Sequence, residues 1–157
     1  FDEGPQIDNG AIKQSGEYGP YIQSERKHEG IYQKYADQLM AEKKAYYCFC
    51  TEDRLTKMRG LQIASGKLPK YDRHCLHLTS AEVTKNLESN LPYVIRMKIP
   101  DNETVIFNDL IRGQIKFNTN DLDDQVLIKS NGIPTYHFAA AVDDQDAVAT
   151  RGTPTVA

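Results

Sequence analysis

The apolar residues of this chain keep two different periods, and that limits the fold more than any other feature. Ile31, Tyr32, Tyr35, Ala36, Leu39 and Met40 recur at the three-and-four spacing of a helix that buries one face. After Pro92 the spacing changes to two: Tyr93, Ile95, Met97 and Ile99 alternate with Val94, Arg96 and Lys98, as in a half-buried strand. Helices and a sheet must therefore share one core, which predicts an α/β fold. Strands towards both ends with helices and a small sheet between them predict α/β flanks holding an α+β insertion.

Local signals divide the chain further. Residues 1–20 are rich in Gly, Pro, Asp and Asn and read as loop. Ser24 is placed to cap the first helix, although Gly30 inside the pattern moves its start towards Ile31. Ala45 to Cys50 reads as a strand, and Thr51 caps a helix carrying Leu55, Met58 and Leu61 that Gly66 and Pro69 terminate. Thr79-Ser80-Ala81-Glu82 is a capping box for a short third helix. Asp101-Asn102 is read as the turn of a hairpin joining the strand after Pro92 to Val105–Phe107. Gln114–Phe117 and Val126–Lys129 are read as strands, and Asn131-Gly132 as a turn with positive φ.

Three cysteines are an odd number, which suits a reducing compartment and metal ligation better than a disulfide framework. Cys48 and Cys50 are two apart, so on a strand both thiols leave the same face. Cys75 follows after 24 intervening residues, with Tyr71 four before it and His77 two beyond it. Thiolates with one or two further donors favour structural zinc over harder ions, and Tyr71 and His77 compete for the fourth place. Asp121, Asp123 and Asp124 could bind a cation, but a solvated loop is the better reading.

Charge adds a second pattern. The formal net charge of −3 excludes a uniformly basic nucleic-acid binder. Yet between Arg54 and Arg73 six bases face only Asp72, a local charge of +5. Lys57, Lys67 and Lys70 in that stretch are the expected contacts to phosphates. No run of apolar residues is long enough for a membrane span. Nor is there a Gly-rich phosphate loop, a Cys-x-x-Cys or a serine nucleophile elbow, so no self-contained active site is expected.

Several segments in one order carry a resemblance: Asp2-Glu3-Gly4-Pro5, Tyr18-Gly19-Pro20-Tyr21-Ile22-Gln23-Ser24-Glu25-Arg26, Ala45-Tyr46-Tyr47-Cys48-Phe49-Cys50-Thr51 and Tyr71-Asp72-Arg73-His74-Cys75. Pro92-Tyr93-Val94-Ile95-Arg96 and the run from Val126 to Ala139 continue it. The chain resembles an internal fragment of glutamyl-tRNA synthetase of the bacterial and organellar type, a class I aminoacyl-tRNA synthetase. The resemblance implies a Rossmann-type catalytic domain interrupted by an acceptor-stem-binding (connective peptide) insertion. Residues 1–46 would end the first half of the catalytic domain, 47–125 would be the insertion with its zinc site, and 126–157 would begin the second half. It further implies a ligand set of Cys48, Cys50, Tyr71 and Cys75, and a glutamate pocket that includes Tyr136 and, by a weaker match, Arg151. The partners implied are the acceptor stem of the glutamate tRNA, glutamate, and ATP with Mg, in a cytoplasmic ligase.

Departures from the family pattern matter too. The His-x-Gly-His-type and Lys-Met-Ser-Lys-type ATP motifs lie outside this sequence, so the fragment alone is expected to be inactive. Ala140 stands where the family often has Asn, Lys27 to Gly30 is two residues longer than the usual spacer, and the tail after Asp144 is altered. A glutamyl-queuosine tRNA synthetase fragment, a free-standing zinc-dependent RNA-binding module and a purely structural interaction domain are the alternatives.

Overall fold

Asn9-Gly10 is a two-residue sequence suited to positive φ, and a hairpin forms around it where the composition had suggested a loop. A computed structural model describes residues 4–16 and 19–151, with side chains to residue 145. The strands β1 (Gly4–Asp8) and β2 (Ala11–Ser15) pair antiparallel from Gly4↔Ser15 to Asp8↔Ala11, and the turn residues have φ of 50° and 79°. Composition hid this hairpin because both strands are largely exposed and show no alternation, whereas the Asn-Gly signal was present.

The chain divides into two compact units, Phe1–Gln38 with Leu127–Ala157 and Leu39–Val126. In the first unit, α1 (Gln23–His28) is entered at Ile22, and Ser24, expected as the cap, lies inside its first turn. Gly30 at φ 72° then breaks the helix, and α2 (Ile31–Ala41) begins at the next residue. After β7 (Val126–Ile128), Gly132 adopts φ 75° and donates its N–H to the Lys129 carbonyl at 2.8 Å, the expected turn. The chain then enters α5 (Tyr136–Arg151). Tyr32 and Ala36 of α2 and Phe138, Ala139 and Val142 of α5 are buried. Asp143 ties the helices together, accepting from the Tyr32 hydroxyl at 3.2 Å and pairing with Arg26 Nε at 2.9 Å.

The second unit is built on β3 (Ala45–Cys48) and β4 (Val94–Met97), antiparallel from Ala45↔Met97 to Cys48↔Val94. On its other side β4 meets the chain approaching β7, where Met97 N–H donates to the Gln125 carbonyl at 2.9 Å. Here the hairpin expected between the strand after Pro92 and Val105–Phe107 is corrected. Instead β5 (Thr104–Asp109) pairs with β6 (Gly113–Asn118) as a separate ribbon. The reason is that β4 is a central strand with both Ile95 and Arg96 buried, so its polar positions are not solvent-facing.

Helix α3 (Glu52–Ala64) opens with Thr51 Oγ1 accepting the Arg54 N–H at 3.3 Å, and α4 (Ser80–Glu88) opens with the full Thr79–Glu82 capping box. Of the stripe expected on α3, Leu55 and Met58 pack inward but Leu61 is exposed. The solvated reading of Asp124 is also corrected, because its side chain is completely covered. It accepts from Tyr46 Oη at 2.7 Å, Ile99 N–H at 3.0 Å and Arg73 Nη2 at 3.0 Å. Among the described residues no helix is long and apolar enough to cross a membrane.

Candidate metal centre and charged surface

The end of β3 and the segment before α4 bring the thiols together. The strand delivers Cys48, the chain leaving it delivers Cys50, and the short 3-10 turn His74–His77 delivers Cys75. Arg73, at φ 57°, makes the bend that turns Cys75 inward. Tyr46, Cys48, Tyr71 and Cys75 are the buried heart of this cluster, and Leu55, Met58 and Val94 close around it. None of the cysteines is in a disulfide.

The three Sγ atoms lie within 4.8 Å of one another, with Cys50 and Cys75 at 3.5 Å. Four ligands at about 2.3 Å from a tetrahedral zinc ion would place sulfurs about 3.8 Å apart, so the spacing fits one ion. Tyr71 Oη stands 3.3 Å from the Sγ of both Cys48 and Cys50, and accepts the Cys75 N–H at 3.0 Å. His77, the rival donor, is exposed and is not among the grouped ligands. Further donors surround the sulfurs: Phe49 N–H reaches Cys75 Sγ at 3.4 Å and Arg54 Nη1 reaches Cys50 Sγ at 3.5 Å.

The electrostatics favour one ready thiolate. Hydrogen bonding from Cys75, helped by Tyr71 and Arg96 and opposed by burial, pulls the Cys48 thiol down to about 4. The same interaction with Cys48, together with burial, pushes the Cys75 thiol up. Burial, then hydrogen bonding with the cysteines, pushes the Tyr71 phenol up. A soft, preassembled donor set of this kind suits a thiophilic divalent ion.

The basic stretch is less free than its count suggests. Arg54 is held by Asp72 in a two-pronged pair at 2.6 and 3.2 Å, and Arg73 by Asp101 at 2.6 Å and Asp124. Lys70 donates to the Asn120 carbonyl at 2.9 Å. Lys57, Arg59 and Lys67 are exposed, and their side chains make no hydrogen bond or ion pair among the described residues. Lys57 lines a groove of about 660 Å³ along α3 with Arg54, Met58, Leu61 and Asp72. The lysines are thus spread over a surface, not gathered in a pocket.

Tyr136 is the first residue of α5 and is 78% exposed. Arg151 is the last residue of that helix, and its side chain lies outside the described residues. At 1.5 Å per residue the two backbones are roughly 22 Å apart along the axis. Spacing in sequence gave no hint of this, because the continuous helix between them was not foreseen. Sequence reasoning also missed Arg96 and Asp124, whose partners are remote in the chain; only their burial reveals them.

A mixed α/β fold with this cluster defines a class. The profile of the tRNA synthetases class I (E and Q), catalytic domain, matches residues 7–152, and the chain belongs to that family. Within it the similar relatives are glutamate-tRNA ligases. That of Clostridioides difficile (strain 630) is 56% identical over 137 residues, covering 87% of this chain and 27% of the relative. That of Finegoldia magna is 51% identical over 144 residues, covering 91% and 29%. A crystal structure of a glutamate tRNA ligase from Elizabethkingia meningosepticum in complex with its amino acid superposes with a TM-score of 0.78 at 41% identity, over 85% of this chain and 28% of that one. The chain therefore spans a little more than a quarter of the length of these relatives.

Proposed function

We propose that this chain is part of a glutamate-tRNA ligase, the enzyme that joins glutamate to its tRNA at the expense of ATP, with Mg as cofactor. The observation that carries this reading is the 56% identity to the C. difficile ligase across 87% of the chain. Within the enzyme the second unit is read as the insertion that receives the tRNA acceptor stem. Cys48, Cys50, Cys75 and Tyr71 are read as the ligands of a structural zinc ion, which when bound would lock the two ends of the α3 segment to β3. Lys57 and Lys67 are the better candidates for phosphate contacts, since Lys70 already has a partner in Asn120.

Tyr136 is read as a glutamate-pocket residue, its exposed phenol able to orient a carboxylate. Arg151 is kept as the weaker match, its backbone lying roughly 22 Å along the helix from that of Tyr136. A chimera tests the whole reading. Residues 7–152 are placed in the corresponding stretch of the C. difficile ligase, and charging of glutamate tRNA is measured. Charging is expected to persist, and to fall when Tyr136→Phe is added. A folded chimera that binds neither tRNA nor glutamate would refute the assignment. Zinc content of protein purified without added metal is measured separately, with about one equivalent expected from the four-ligand set.

A further inference from the structure

Arg96 is a buried cation that no carboxylate balances. It sits in the middle of β4, 4% exposed, and the register places it opposite Tyr46, on the same sheet face as Cys48. Its Nη1 donates to the main-chain carbonyl of Asp124 at 2.8 Å, and its guanidinium carbon lies 4.2 Å over the ring of Tyr71. Both of these partners are uncharged groups. Its Nε is buried and has no hydrogen-bond partner. The nearby Asp124 carboxylate is already taken by Arg73, Tyr46 and Ile99 N–H, and among the described residues no carboxylate pairs with Arg96.

An unpaired guanidinium is costly to bury, so a fold that keeps one requires negative charge close by. Among the described residues the source at this place is the cysteine cluster, whose Cys48 thiol interacts with the guanidinium. Three thiolates on a divalent ion, with Tyr71 as a neutral phenol, would carry a net charge of −1, since metal ligation strips the thiol protons. The other neighbouring guanidinium, Arg54, is already matched by Asp72. With an ion bound, one buried cation would stand beside one net negative charge.

We propose that Arg96 is the positioning residue of the metal centre, neutralising the tris-thiolate cluster from outside its ligand shell and fixing the ring of Tyr71 against it. This rests on the reading of Cys48, Cys50, Cys75 and Tyr71 as metal ligands. Arg96 donates nothing to the metal itself; it acts through charge and through the orientation of Tyr71. Arg96→Lys keeps the charge but loses the flat surface over the ring, and Arg96→Gln loses both.

The full chain, its Arg96→Gln and Arg96→Lys forms, and Ile95→Ala as a control are titrated with zinc against a chromophoric chelator, and with cobalt while the thiolate-to-metal absorption is recorded. Ile95 is equally buried but points to the opposite face of β4, so its loss weakens the fold without touching the centre. Arg96→Gln is expected to lower zinc affinity by about 10- to 100-fold and to shift the cobalt spectrum, with Arg96→Lys recovering part of the loss. Ile95→Ala is expected to leave both readouts unchanged. Unchanged affinity and spectrum in Arg96→Gln would overturn the proposal, as would an equal loss in Ile95→Ala or no recovery in Arg96→Lys. A wild-type chain that binds no zinc removes the metal reading itself, and this role with it.

Discussion

Removing the Asp124 carboxylate is expected to be among the most damaging single changes outside the cysteine cluster. Its side chain is fully covered, and three donors converge on it from distant segments: Tyr46 Oη, Ile99 N–H and Arg73 Nη2. In Asp124→Ala the Tyr46 hydroxyl and Ile99 amide lose a charged acceptor, each worth about 1.5–3 kcal/mol. Arg73 suffers less, because its pair with Asp101 survives at the surface. The sum, with some relaxation and rehydration, is about 3–5 kcal/mol, the range for breaking a buried ion pair by deleting one partner. Tyr46→Phe removes a single donor and leaves the others, so it should cost well under half as much. Urea unfolding followed by tyrosine fluorescence and circular dichroism measures both. A loss below about 1 kcal/mol in Asp124→Ala would show that water or a neighbouring group replaces the carboxylate, and would refute the hub.

Four further outcomes are expected. Thr79 donates its backbone N–H and hydroxyl to Glu82, which holds that carboxyl below its ordinary range, so the cap's contribution is complete above the ordinary carboxylate pKa and is lost as pH falls through the lowered value. Thr79→Ala should therefore flatten the acid limb of a stability-versus-pH curve between pH 3 and 5, roughly the window of an exposed glutamate. Gly132→Ala meets both a positive φ and Lys27 Cε at 3.3 Å, and should destabilise by about 1–2 kcal/mol in thermal unfolding. Lys57→Ala with Lys67→Ala should reduce the slope of log affinity against log salt for an acceptor-stem helix, by about 0.9 for each phosphate no longer neutralised, while Lys70→Ala should change it less. The isolated chain should show no ATP-pyrophosphate exchange, checked with glutamate and tRNA supplied.

The parts of the fold that were legible in the sequence are those held by neighbours along the chain. Thr51 and the Thr79–Glu82 box cap their helices because a side chain and an amide three residues apart settle the matter locally. Gly30 and Gly132 likewise announced a break and a turn through their own backbone freedom. Partner choice among strands was not legible: the alternation after Pro92 gave a strand but not its neighbour, and β4 pairs with β3, nearly fifty residues earlier. The cysteine spacing foretold a cluster, since thiols two residues apart stay close even though β3 ends at Cys48 and Cys50 lies just beyond it. Arg96 and Asp124 were invisible for the opposite reason, each being defined by partners 25 or more residues away.

Helix α3 contains no fully buried residue, although it is the longest helix of its unit and stands directly between Cys50 and Tyr71. Its place is set by the two ends of the segment that carries it, as a strap is set by its buckles. Such a segment can open and reclose while the sheet beneath it stays intact. Amide exchange along residues 52–64 should then follow the state of the cysteine cluster, whereas exchange in β4 should follow unfolding of the whole unit. The surface offered to a phosphate backbone by Lys57 would in this way be as rigid, or as yielding, as the thiol clasp that closes beside it.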